Sequence, residues 1–136
     1  MRTFEHKIRV RYAETDRMGY CYYGNFATYF EVARVEALRS LGISYRRLED
    51  DGMILPVLDF QIKYIKPALY DEELRIETQI EQVKGTRIFF NYKTFNEQNE
   101  LLNHATTTLV FVSFETKKPI IPPIELSELI AGAANI

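Results

Sequence analysis

A single amphipathic helix followed by four closely linked strands is the pattern that most limits what this chain can fold into. Between Asn25 and Leu41 the apolar residues Phe26, Tyr29, Phe30, Ala33, Ala37, Leu38 and Leu41 recur at three- and four-residue steps, while Glu31, Arg34, Glu36 and Arg39 fill the positions between. The spacing predicts a helix of about 16 residues stopped by Gly42. Past residue 54 the period drops to two. The stretches 54–68 (Val57, Phe60, Ile62, Tyr64), 74–83 (Leu74, Ile76, Thr78, Ile80), 86–96 and 101–115 read as strands, and "NEQNE" and "KGT" read as tight links between them. An earlier strand lies within residues 3–12, one or two helical turns fit 44–52, and a short helix fits the tail from about residue 125. This order favours an α+β arrangement, with an antiparallel sheet packing one face on the helix.

Length and composition narrow the class. The chain has 136 residues, enough for one domain spanning 1–136, and its 46% apolar and 26% charged residues suit a soluble globular protein. A net charge of −2 offers no broad basic field, so nucleic acid is not an expected partner, although a local basic patch could still hold one small anion. Cys21 is the only cysteine, which excludes an internal disulfide and fits a reducing compartment. The start "MRTFEHKIRV" lacks the apolar core of a signal peptide, and no run reaches the roughly 18 apolar residues of a membrane span. A cytoplasmic protein without integral membrane association is expected.

The stretch "YAETDRMGYCYYGNF", residues 12–26, joins the first strand to the helix and concentrates the candidate chemistry. Its "GYCYYG" has the glycine spacing of a phosphate-binding loop, but Asn25 and Phe26 stand where Lys and Ser or Thr are required. His6 and His104 fall in strand patterns without metal-ligand spacing, and no metal site is expected. Cys21, with no histidine nearby to activate it, reads as a small buried residue, and the tyrosines read as core or pocket wall. Asp16 reads either as a turn residue or helix cap, or as a reactive carboxylate. The second reading needs a group that stabilises an oxyanion. The helix start in residues 20–26 supplies unpaired N–H groups at the positive end of the helix dipole, and Gly19 and Gly24 allow close backbone approach. An acid about seven residues before a helix start suits acyl transfer.

The segment "RYAETDRMGYCYYGNFATYFEVARVEALRSLG", with "YIKPALYDEELRIETQI", "VKGTR" and "NELLNHA", resembles hotdog-fold acyl-CoA thioesterases of the 4-hydroxybenzoyl-CoA thioesterase type. It is most similar to the bacterial subgroup associated with the Tol-Pal system, in order from residue 5 to about 123. The resemblance implies an antiparallel five- to six-stranded sheet wrapped around one long central helix. It also implies a homodimer or homotetramer with active sites at the subunit interface, and acyl-CoA as substrate. Coenzyme A would then enter as part of the substrate, and no cofactor is expected.

Residue by residue, the resemblance makes Asp16 the catalytic nucleophile or general base and gives the backbone N–H of Tyr23 the task of polarising the thioester carbonyl. Tyr22, Gly24 and Asn25 fall at the substrate-binding helix start, and Lys84, Thr86 and Arg87 fall on the loop near coenzyme A in relatives. Many Tol-Pal-associated relatives carry histidine where this chain has Tyr23, so a mechanism using that imidazole does not transfer. Glu31, a helix acid used by some other hotdog thioesterases, reads here with Arg34 and Glu36 as part of helix-face or interface ion pairs. Two rival readings accompany this one: a thioesterase acting on acyl carrier protein, and a non-catalytic acyl-binding or scaffold module.

Overall fold

The computed structural model describes residues 1–134. Strand β1 (Thr3–Arg9) leads through a single 3₁₀ turn, Tyr12–Glu14, to helix α1 (Asn25–Ser40) and the short helix α2 (Tyr45–Asp50). Strands β2 (Met53–Ile54), β3 (Val57–Tyr64), β4 (Glu73–Lys84), β5 (Arg87–Phe95), β6 (Leu101–Val110) and β7 (Val112–Ser113) follow, and α3 (Ile124–Ala134) closes the described chain. Helix α1 has the predicted length and ends where Gly42 adopts a φ of +85°, which a side chain would resist.

Five strands form one antiparallel sheet in the order β1-β4-β5-β6-β3, and β2 and β7 pair separately. The alternation that predicted the strands divides this sheet into two faces. Ile76, Ile80, Ile88, Phe90, Tyr92, Ala105 and Leu109 are buried on the inner face, and polar or charged neighbours such as Glu77, Lys93 and His104 sit on the outer one. Helix α1 fills the concave side with Phe26, Tyr29, Phe30, Ala33, Ala37 and Leu38. Phe30 stacks on Tyr92 with ring centroids 4.5 Å apart. Removing a fully buried phenylalanine of this kind costs roughly 3–5 kcal/mol.

The two sheet edges differ in character. On β1, Lys7 and Arg9 pair with Glu73 at 3.9 and 3.5 Å and Arg9 reaches Asp71 at 3.8 Å, so that edge is charged. On β3, the large apolar residues Val57, Leu58, Phe60 and Tyr64 are exposed beside Asp59, Gln61 and Lys63, leaving an edge of mixed character uncovered by this chain. Among the helix charges, Glu36 pairs with Arg39 at 3.3 Å. Arg34 is 6% exposed and donates from Nε to the Tyr45 hydroxyl at 3.3 Å, with no carboxylate within 4.0 Å among the described residues.

Candidate active site

Asp16 sits in a tight reversal bounded by an antiparallel bridge between Thr15 and Cys21. Its N–H donates to the Tyr20 carbonyl at 2.8 Å, and the Gly19 N–H donates back to the Asp16 carbonyl at 3.0 Å. Gly19 takes a φ of +83°, the left-handed conformation that makes this reversal easiest for glycine. The carboxylate itself is anchored through Oδ1, which accepts from the N–H groups of Met18 at 2.9 Å and Tyr20 at 3.2 Å. Oδ2 has no hydrogen-bond partner among the described residues. Asp16 is therefore a turn residue, as one reading of the sequence expected, and it presents a free carboxylate oxygen at the same time. It does not cap α1, whose N-cap position is Gly24.

The start of α1 supplies donors in the required form. The Tyr22 N–H is used by the Glu14 carbonyl at 2.8 Å, and Asn25 and Phe26 donate to the carbonyls of Tyr22 and Tyr23 at 3.0 and 3.3 Å. Between them, the N–H groups of Tyr23 and Gly24 donate no hydrogen bond among the described residues. Two consecutive amides are thus left unpaired while the carbonyls of both peptide groups are tethered. At Gly24 a Cβ would come within 2.9 Å of the Tyr22 ring, so a larger residue there would have to displace that exposed side chain.

Asp16 and Tyr23 line one cleft of about 290 Å³, together with Met18, Tyr20, Phe26 and Tyr64. Tyr22 lies beside its rim, with its ring centroid 4.8 Å from that of Tyr23. Asn25 turns inward instead, donating from Nδ2 to the Glu14 carbonyl at 2.7 Å. Lys84, Thr86 and Arg87 are not part of this cluster. They flank the β4–β5 turn, where Gly85 has a φ of +61°. Across the sheet register the cleft residue Tyr64 stands level with Asn103, Thr94 and Ile76, and the turn lies eight residues further along β4, roughly 25 Å at strand rise.

Two contributors escaped the sequence reading. Glu14 Oε1 accepts from the Tyr29 hydroxyl at 2.9 Å and the Arg11 N–H at 2.8 Å, and its Oε2 faces the Arg11 guanidinium at 3.3 Å. Partial burial works against its ionisation, but these donors outweigh it and hold its pKa below the ordinary glutamate value. Burial pushes the Cys21 thiol up, and Cys21 lies 3.5 Å from the Tyr29 hydroxyl, so it is packed rather than activated. The second contributor is Tyr64, whose hydroxyl donates to the Tyr23 carbonyl at 2.8 Å from 41 residues away. Glu14 lies 11 residues before Asn25 and 15 before Tyr29, too far for local spacing to announce the first group, and nothing local could announce the second.

Comparison with known proteins adds an independent line. Residues 18–103 match the family profile of the Thioesterase superfamily. YneP of Bacillus subtilis, named as a candidate acyl-CoA thioesterase, is 38% identical over 120 residues, covering 88% of this chain and 87% of that one. The acyl-CoA thioester hydrolase YbgC of Escherichia coli O157:H7 is 33% identical over 116 residues, covering 85% and 87%. A DHNA-CoA thioesterase from Staphylococcus aureus superimposes with a TM-score of 0.93 at 37% identity, over 97% of this chain and 91% of that one.

Proposed function

The chain belongs to the thioesterase superfamily, and from that membership we propose that it hydrolyses acyl-CoA thioesters to a carboxylic acid and free coenzyme A. One observation carries the proposal: Asp16 and Tyr23 line one cleft, and the helix-start amides of Tyr23 and its neighbour Gly24 are unpaired among the described residues. The amides polarise the thioester carbonyl and stabilise the oxyanion as it forms. Asp16 then acts in one of two ways. As nucleophile it bonds to the carbonyl carbon and expels the coenzyme A thiolate, and water hydrolyses the resulting mixed anhydride. As general base it takes a proton from water, whose oxygen forms that bond instead. Neither route uses an imidazole. Tyrosine at position 23 separates this chain from the histidine-bearing relatives of the Tol-Pal-associated subgroup, beside which we place it as a cytoplasmic enzyme needing no cofactor.

The open β3 edge, with Val57, Leu58, Phe60 and Tyr64 exposed, supports assembly with a second copy. Tyr64 ends β3 beside the cleft, and Val57 begins it near the β4–β5 turn, since Val57 pairs with Leu109 and the neighbouring Val110 pairs with Arg87. Twofold antiparallel pairing of β3 with its mate would bring the β4–β5 turn of one copy toward the Asp16 cleft of the other. Lys84, Thr86 and Arg87 would then contact the coenzyme A moiety bound to the partner copy's cleft. Thiol release measured over aromatic, short-chain and long-chain acyl-CoAs, with acyl carrier protein thioesters alongside, tests the proposal. Turnover of at least one acyl-CoA class is expected; binding without release across the whole panel would contradict it.

A further inference from the structure

We infer that Tyr64 is a positioning residue for the oxyanion donors, fixing the Tyr23–Gly24 peptide group by holding its carbonyl from the edge strand. The inference rests on the reading of this cleft as a thioester-cleaving site. A peptide group is planar and trans, so its C=O and N–H point in opposite directions. Fixing the carbonyl therefore fixes the N–H. The Tyr23 carbonyl accepts from the Tyr64 hydroxyl at 2.8 Å, and the N–H on the other side of that peptide is the unpaired donor of Gly24.

The only other donor to this carbonyl among the described residues is the Phe26 N–H at 3.3 Å, a long bond from the first helical turn. By contrast, the preceding peptide, which carries the Tyr23 N–H, is held by Asn25 at 3.0 Å from within the helix start. One donor is thus positioned locally and the other by a residue on a distant strand. The Tyr64 ring is itself steadied by edge-on packing against Tyr23 and Phe26, with centroids 6.2 and 5.9 Å away. Partial burial moves its phenol further above the ordinary tyrosine value, so the hydroxyl is protonated and able to donate at neutral pH. Because Tyr64 ends the edge strand β3, the same bond ties the donor to the edge at which a second copy would pair.

Tyr64→Phe keeps the ring and its packing and removes only the hydroxyl. Its expected effect is a roughly tenfold fall in kcat with KM within twofold of wild type, less than the 10²–10³-fold loss seen when an oxyanion donor itself is removed. The melting temperature should barely move. A second measurement reads the donors without turnover: benzoyl-CoA labelled with ¹³C at its carbonyl, bound to Asp16→Asn protein and followed by vibrational difference spectroscopy. The carbonyl stretch should fall in frequency on binding, and Tyr64→Phe in the same background should recover part of that fall. Unchanged kcat together with an unchanged carbonyl frequency would overturn the inference. So would a loss of kcat accompanied by an equal loss of thermal stability and no change in the carbonyl band, since that pattern belongs to a structural tyrosine. If wild-type protein binds acyl-CoAs across the panel but hydrolyses none of them, the hydrolase reading falls while the carbonyl frequency still decides the role of Tyr64.

Discussion

The two ends of β4 are built in opposite ways. At one end, the reversal around Asp16 is tied to itself, to the Glu14 network and to the start of α1 by a dense set of hydrogen bonds between 2.7 and 3.3 Å. At the other, Lys84, Thr86 and Arg87 stand on a short turn, and none of their side chains makes a hydrogen bond or ion pair among the described residues. A carboxylate that must meet a carbonyl within a fraction of an ångström needs the first kind of surrounding. Charges that only have to meet a flexible anion can stand on the second. The contrast fits a division of labour in which one end performs the proposed chemistry and the other holds the coenzyme A moiety.

The largest effect is expected at the rigid end. Asp16→Asn keeps the acceptor oxygen that receives the Met18 and Tyr20 amides but removes both nucleophile and base, so turnover should fall on the order of 10³-fold with the melting temperature preserved. Steady-state thiol release beside a thermal melt checks this, and full activity would break the comparison at its stronger end. At the open end, replacing Lys84 and Arg87 together by Ala should raise KM for acyl-CoA by roughly three- to thirtyfold and leave kcat nearly unchanged, because exposed charge contacts are worth up to about 1 kcal/mol each. A fall in kcat instead would show that the turn takes part in the chemical step.

The smallest effect concerns the scaffold of the rigid end. Glu14→Gln weakens the bonds from Tyr29 and Arg11 and should cost about 1–2 kcal/mol in stability at neutral pH. The sign of its pH dependence follows from a folded-state pKa that lies below the ordinary value of 4.5. The stabilisation from Glu14 is complete above about that value and is lost as the pH falls through the lower folded one. Chemical denaturation at neutral pH and near pH 3 should therefore show the two proteins converging in acid. A difference that persists at low pH would mean that the bonds do not depend on the charge of Glu14.

Much of the architecture could be read from period alone. Helix α1 and strands β4 to β6 lie where the spacing of Phe26, Phe30 and Ala33, and of Ile76, Thr78 and Ile80, placed them, because burial on one face imposes a period that local sequence displays. The nearness of Asp16 to the helix start was legible for the same reason, as both lie within one short segment. Tyr64 was not, since its bond to the Tyr23 carbonyl spans 41 residues and depends on sheet order. Glu14 was missed because the meeting of a loop acid with the α1 hydroxyl of Tyr29 depends on how the loop folds back over the helix. The separation of residues 84–87 from the cleft was invisible too, because only the sheet register reveals it.

The division of labour between the two ends, with each site drawing on two copies, is tested most directly by mixing two impaired proteins. Asp16→Asn protein has no reactive carboxylate but keeps its β4–β5 turn, and the Lys84→Ala/Arg87→Ala double variant has the reverse. Reassembled in equal amounts and assayed at acyl-CoA concentrations well below KM, they should regain about a quarter of wild-type activity, because half the dimers would be hybrids with one intact site in two. Activity no higher than the average of the two parents, in a preparation shown to contain hybrids, would contradict the account.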